Sequence, residues 1–474
     1  MNNNHAPLPP DLDAIVAEGL TPVENVENVE PTSTEFNEFN EFNATPHAER
    51  VHPIPEDSTL ALVREISREF SEAPDCFAIA PFLSLVGGIL TPRCFWDFGG
   101  KKFPNVFQFV VGPPGIRKST SFKIAELVGK EALSPDAFHG GNASDSAAFA
   151  KWLKQPHRIQ IEAEGNTVVT SWRGSYSGRE MAARMLKLYD GDSWSQTFRH
   201  QEDKDGDGSE QSIECATLSL AIGATPPVCR FDGVDAKTGL RRRFGYYAAD
   251  ETARMIPWPR SLAADDVKDV VKQVRAIADL EGEFTLGTAA LRLWDKIQRL
   301  NRRESEEIFG DASEETDIRL AELAEAPSRI LKLASHFSAC RFAFGSVTNP
   351  LLVTEETLEV AYHHQLACLE ASRSVDAIAH RSQIADEAEK ILATIRAEAA
   401  STRDYDRWTI KGDAVHATRS DITRRFAANG TRGTLTANRL HNNVMPFVIR
   451  SAKGSVVRAE GGGTVYVIPM EAHP

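Results

Sequence analysis

The sequence contains six cysteines, and none sits in a spacing that chemistry would reuse. Cys76, Cys94, Cys215, Cys229, Cys340 and Cys368 form no CxxC pair and lie beside no histidine cluster. That argues against a zinc framework and a disulfide scaffold and predicts a reducing compartment. Long apolar runs are missing as well. The most apolar stretch, Phe77–Leu90, has 14 residues and contains Pro81, against the roughly 20 that a membrane helix requires. The N-terminus is acidic and Asn-rich, with no basic-then-apolar signal pattern. A cytoplasmic protein with no membrane partner is expected.

Positive charge is scarce where the chain begins. Residues 1–60 carry twelve acidic side chains against Arg50 alone, whereas residues 401–474 hold eleven Lys/Arg and six Asp/Glu. The net charge of −14 therefore averages an acidic head and a basic end, and only the second suits a nucleic-acid partner. Hydrophobic content of 42% and charged content of 25% over 474 residues fit a globular protein of several domains.

Within residues 1–55, NVENVE and EFNEFNEFN repeat without a core-forming period, so a disordered acidic tail is expected. Residues 56–104 open with a helical pattern, TLALVREISREF, with Ser58 or Thr59 as N-cap. In residues 105–260 apolar strand-like runs (VFQFVV, RIQIEA, TVVTSW, TLSLAIGA) alternate with helices such as EMAARMLKLY. That cadence predicts an α/β nucleotide-binding core. Residues 261–400 are almost wholly helical in pattern. Residues 401–474 read as a helix DITRRFAA capped by Ser420, a turn at Gly430 and Gly433, a second helix TANRLHNNVM, and a hairpin through FVIRSAKGSVVRAEGGGTVYVIP. Helix, turn, helix and two-stranded wing predict a winged helix.

The richest stretch is FQFVVGPPGIRKSTSFKIAELVG, Phe107–Gly129. A phosphate loop needs glycines that let backbone amides approach phosphate oxygens, a lysine for the β/γ-phosphates and a hydroxyl for Mg²⁺, all at a helix N-terminus. Gly112, Gly115, Lys118, Ser119 and Thr120 have that spacing; Arg117 stands where the last glycine is usual. A positive φ there costs a non-glycine residue about 1 kcal/mol, and the arginine adds positive charge beside the nucleotide.

What this sequence lacks downstream is an apolar strand ending in Asp-Glu. The carboxylate that would bind Mg²⁺ and polarise water is then expected at Glu180 in GSYSGREM, after the run TVVTSW, with Asp190 and Asp192 in LYDGDSW as rivals. Thr225 ends the apolar run LSLAIGA as a candidate γ-phosphate sensor. Arg241, Arg242 and Arg243 in GLRRRFGYY are candidates for an arginine finger.

Taken in order, PNVFQFVVGPPGIRKST, SGREM, LYDGDSW, LSLAIGATPP and GLRRRFGYY resemble a family of P-loop ATPases of prophages, plasmids and other mobile elements. That family is related to the virulence-associated E proteins and, more distantly, to superfamily 3 helicases of the AAA+ class. The resemblance spans about residues 60–400 and includes FTLGTAALRLWDKI and the helix from Arg329. It implies ATP and Mg²⁺ as cofactors, Lys118 and Ser119 as nucleotide and metal contacts, Glu180 as the catalytic and metal-binding acid, Thr225 as sensor, and Arg242 or Arg243 as the finger. A finger acting in trans implies a homo-oligomeric ring. Arg117 and the missing Asp before Glu180 depart from the family pattern. The N-terminal tail is too short for a primase module, so a separate primase is expected where priming is needed.

Asp203–Glu214, DKDGDGSEQSIE, fits the calcium-loop formula. Its flanks, however, are not helical in pattern, and an acidic hairpin tip is expected instead. In the winged helix, Asn438, Arg439 and Asn442 would read DNA, with Arg450, Lys453 and Arg458 near phosphates. The reading is an ATP-dependent DNA helicase or replication-initiation ATPase. The alternatives are an ATPase of a phage-defence or packaging system, and a nucleotide-gated DNA-binding regulator with little hydrolysis.

Overall fold

A computed structural model describes residues 52–139, 145–173, 176–198, 209–229, 239–258, 260–309, 314–400, 409–411, 414–427, 437, 440–452, 455–458 and 464–469. The first elements are α1 (Thr59–Phe70), α2 (Cys76–Leu90), β1 (Cys94–Asp97), β2 (Lys101–Lys102), β3 (Phe107–Val111) and α3 (Lys118–Ala132). Next come α4 (Asp145–Lys154), β4 (His157–Glu162), α5 (Asn166–Arg173), α6 (Tyr176–Asp190), β5 (Trp194–Phe198) and β6 (Ser209–Ile213). They are followed by β7 (Thr217–Ala224), the short α7 (Pro226–Cys229) and β8 (Phe244–Ala248).

The organising element is a parallel sheet in the order β4-β7-β3-β8. Every residue of β3, β7 and β8 is buried. Continuous apolar strands of this kind are what a parallel sheet needs when helices cover both faces. One face packs against α2 and α3, with α1 laid on those two helices. The most apolar run of the sequence is thereby explained: all but Gly88 of α2 is buried, as expected of a helix that is apolar all round and enclosed by protein. Ser84 in α2 donates to the Leu220 carbonyl of β7 at 2.9 Å. Among the described residues no helix is long and apolar enough to cross a membrane.

The opposite face carries a second core containing Phe149, Trp152, Val169, Leu188 and Trp194. Here the structure corrects a sequence expectation. TVVTSW belongs to a helix, α5, and not to a strand. Short valine-rich runs do not distinguish the two by pattern alone. The turn after β4 decides it: Gly165 N donates to Gly223 O at 2.8 Å, and Val169 N donates to Gly165 O at 3.0 Å. Val168 and Val169 then enter the second core. The expected hairpin around residue 204 has its stems, because β5 and β6 pair antiparallel; residues 199–208, including Lys204, lie outside the described residues. A strand before the Asp203–Glu214 stretch and another running through Ser209–Ile213 within it are wrong for a calcium loop.

The helical half contains α8 (Lys268–Ala278), α9 (Thr288–Ile308), α10 (Glu314–Phe344) and α11 (Glu355–Ala400), with the short strands β9 (Gly282–Glu283), β10 (Thr285–Leu286) and β11 (Leu352–Val353). The buried Asn105 amide, just before β3, donates to the carbonyls of Leu188, Tyr189 and Leu218. The Lys332 ammonium of α10 donates to the Asn105 carbonyl at 2.9 Å. One residue thus ties the entry of β3 to α6, β7 and α10.

The C-terminal elements are β12 (Thr409–Lys411), β13 (Ala414–Thr418), α12 (Arg419–Phe426), a π-helical turn Leu440–Val444, α13 (Met445–Ser451), β14 (Ser455–Arg458) and β15 (Thr464–Pro469). The strands form an antiparallel sheet in the order β12-β13-β15-β14, packed on the end of α11 through Ile384, Ile391 and Ile395. Two local expectations change. Thr418 caps α12 in place of Ser420, in a reciprocal box with Asp421. FVIR is helical in α13, so only SVVR and TVYVIP form the hairpin.

Candidate functional site

The chain leaves β3 at Val111, turns through Gly112–Arg117 and enters α3 at Lys118. Gly112 has no room for a side chain, since a Cβ would stand 2.9 Å from Ala249 O and from Ile116 Cγ2. Gly115 has φ 89°, and Arg117 has φ 65° and ψ 25°. Arg117 is the one non-glycine residue at positive φ among the described residues. The left-handed conformation expected from the usual glycine is kept, at about 1–2 kcal/mol. Its side chain pairs with Glu72 Oε2 at 2.9 Å, and the other oxygen of Glu72 accepts from Ile256 N at 3.3 Å. The arginine therefore joins the turn to the segment that follows β8.

Lys118 opens the helix. Its ammonium donates to the carbonyls of Gly112 at 2.6 Å and Pro113 at 2.9 Å. Desolvation lowers its pKa below the ordinary lysine value. Ser119 is exposed and Thr120 half-buried in the first turn. The positive end of a 15-residue helix and an ammonium thus converge on one turn, an arrangement suited to a polyanion.

In a parallel sheet, ligands bind beyond the carboxyl ends of the strands. Beyond β7 lies Thr225, whose N–H donates to Asn166 Oδ1 at 3.0 Å and whose hydroxyl stands 3.4 Å from the same oxygen. The last residue of β4 is Glu162, in register with Ile222 of β7, and Glu164 follows. The neighbouring turn is tight: a Cβ on Gly223 would stand 2.3 Å from Ala163 O. Glu162 also approaches the helix of the glycine turn. It is the second cause, after desolvation, raising the Glu126 carboxyl of α3 above its ordinary value.

The acid expected at Glu180 has a different setting. Glu180 lies within α6, and the run before it is helix α5, so it does not follow a sheet strand. Its rival Asp190 belongs to the amino edge of the sheet, where it pairs with Arg243 at 2.6 Å. Sequence reading passed over Glu162 and Glu164 because RIQIEAEG has no adjacent Asp-Glu. The available signal was an apolar strand ending in two carboxylates and a glycine.

The arginine triplet also sits at the amino edge, since Phe244 pairs with Phe107 at the start of β3. Arg241 is buried, reaching Glu322 Oε1 at 3.3 Å and Ser372 Oγ at 3.1 Å. Arg243 is held by Asp190 and by Gly239 O at 3.0 Å. Both guanidiniums are committed within the chain. Arg242, half-buried between them, is the remaining finger candidate. None of the three lies on the edge of its own glycine turn.

Of the residues assigned to DNA contact, Asn438, Arg439 and Lys453 lie outside the described residues. Asn442 is exposed on the π-helical turn, Arg450 belongs to α13 and Arg458 ends β14. His441 fixes that turn, hydrogen-bonding Thr423 Oγ1 at 2.6 Å and Tyr466 OH at 2.9 Å.

No protein-family model matches the chain, and no curated protein matches it. The functional reading therefore stands on this geometry and on the ordered motifs.

Proposed function

We propose that the chain is a P-loop ATPase of the superfamily 3-like, mobile-element kind, coupling ATP hydrolysis to work on DNA. The observation that carries the reading is the convergence on one sheet edge. A glycine turn with Lys118 and Ser119 at a helix N-terminus lies beyond β3, Thr225 with Asn166 beyond β7, and Glu162 ends β4 with Glu164 just past it. Hydroxyl and carboxylate oxygens suit Mg²⁺, and the open space beside Gly115, at positive φ, suits a turn whose backbone must approach phosphate.

In this reading Lys118 gives up its contacts with Gly112 O and Pro113 O to bind β/γ-phosphate oxygens. Ser119 and Glu162 would hold Mg²⁺, which supplies charge neutralisation for the phosphoryl group. Glu162 or Glu164 orients the attacking water, and Thr225 donates to the γ-phosphate region while Asn166 holds its backbone. Arg242 would serve the site of a neighbouring copy, because it stands at the opposite edge from its own turn. That supports a head-to-tail ring. The C-terminal winged helix, on the basic end of the chain, would supply the DNA contacts.

Replacing each acid separately tests the assignment. Glu162→Gln is expected to bind ATP and lose turnover by about 10²–10⁴-fold, while Glu180→Gln keeps near-wild-type turnover. The reverse pattern would return the catalytic role to Glu180. A protein that binds ATP through Lys118 and hydrolyses none of it, with or without DNA, would be the nucleotide-gated regulator instead.

A further inference from the structure

The segment after β8 presents two large apolar side chains to solvent, Met255 at 84% and Trp258 at 91% exposure. The backbone beneath them is firmly tied. Arg254 donates to the carbonyls of Ser71 at 3.0 Å and Ala73 at 2.9 Å and pairs with Asp75. Ala253 N donates to Glu72 O at 3.0 Å, and Ile256 N to the Glu72 carboxylate. The sequence sets Pro257 before Trp258 and Pro259 after it, and proline restricts both itself and the residue preceding it. The indole is held out on a stiff arm.

The same arm builds one wall of a cavity of about 420 Å³, within the roughly 300–1,000 Å³ range of ligand pockets. Its floor is apolar, from Phe70, Ile124 and Leu127; its rim carries Lys123, Lys130 and Arg260, with Glu126 among them and Arg260 also paired with Asp266. The Arg260 guanidinium lies 4.0 Å from the centre of the Phe70 ring. Such a site suits an aromatic ring with acidic neighbours. The arm offers both: Trp258, and at its root the exposed Asp250 and Glu251.

We propose that a second copy of this chain fills the cavity, with Trp258 of each copy seated between Phe70, Arg260 and α3 of the other. Trp258 stands two residues before Arg260 of the cavity wall, so projection and recess are neighbours in the chain, as a self-complementary two-fold pair requires. Each indole brings about 150–250 Å² of surface. With the two methionines and the walls they cover, the contact totals roughly 1,000 Å², the lower bound for a specific interface. An interface of that size suits a weak, reversible association. This pairing covers the edge that carries the glycine turn, since Thr120 lines the cavity and Glu72 joins Arg117 to the arm. It differs from a ring built through Arg242, and it requires neither nucleotide binding nor hydrolysis.

The test is sedimentation of the full chain over about 1–100 µM without nucleotide, together with photocrosslinking from a benzoylphenylalanine at position 258. The expected result is a monomer–dimer equilibrium that Trp258→Ala weakens at least tenfold. Lys123→Glu with Lys130→Glu weakens it similarly, and adding Asp250→Lys with Glu251→Lys to that variant restores it. Crosslinks should join two copies and map to residues 120–130 or 260–262. A wild-type monomer throughout the range overturns the proposal and leaves the arm to a different partner. Association unaffected by Trp258→Ala, or crosslinks mapping elsewhere, also overturns it. Loss of ATP binding in Lys118→Ala, or its persistence, bears on the nucleotide reading and leaves this result unchanged.

Discussion

Lys332→Met should change how stability depends on pH, and the structure gives the size of the change. Lys332 is buried in α10 with its ammonium 3.6 Å from the centre of the Tyr189 ring. Desolvation brings its pKa down from 10.5 to about 7, opposed by the Glu325 and Asp190 carboxylates. Between those two values the unfolded chain holds a proton that the folded chain does not. Stability therefore rises with pH across the window, by up to about 1.4 kcal/mol per unit. Methionine keeps most of the stem and removes the titration. Subtracting the variant from the wild type cancels the other groups that titrate there. The wild type should gain about 2–3 kcal/mol relative to Lys332→Met between pH 7 and pH 9. Urea unfolding followed by tryptophan fluorescence at pH 7, 8 and 9 measures it. A difference that stays flat would mean Glu325 and Asp190 keep Lys332 protonated in the folded core, and would refute the argument that desolvation dominates.

Arg117→Gly should leave stability within about 1 kcal/mol of wild type, because relief of the left-handed strain is offset by glycine's backbone entropy. ATP affinity should also persist, since the Arg117 side chain is engaged with Glu72; loss of binding in a titration would make the arginine a ligand. Gly223→Ala should cost about 1–3 kcal/mol through overpacking and depress ATP turnover, because the new Cβ would meet Ala163 O beside Glu162. Unchanged melting and turnover would contradict that packing argument. Alanine at Arg450, Lys453 and Arg458 together should reduce the slope of log K against log salt for duplex DNA by about 2–3. An unchanged slope would remove those residues from the interface.

The legible parts of the sequence were those whose partners are near in the chain or whose pattern is unambiguous. FQFVV, the glycine turn and the helix after it were read correctly, and so was the positive φ at Arg117. TVVTSW was misread because a short β-branched run does not reveal whether a helix cap or a strand partner waits for it. Because a helix and not a strand end precedes Glu180, Glu162 and Glu164 at the end of β4 stand beside it as candidates for the acid. Local capping was also ambiguous, with Thr418 and Ser420 two residues apart and both suited to the role. The pairs that shape the site from a distance carried no readable signal. Glu72 and Arg117 are 45 residues apart, and Asn105 and Lys332 are 227 apart. Nothing in either member's neighbourhood names the other.

The measurement closest to the central claim is ATP hydrolysis by the wild type and by Lys118→Ala, each with and without single-stranded and duplex DNA. Turnover should require Lys118 and rise several-fold with DNA. Turnover that survives Lys118→Ala, or ATP binding that does not depend on Lys118, would contradict it.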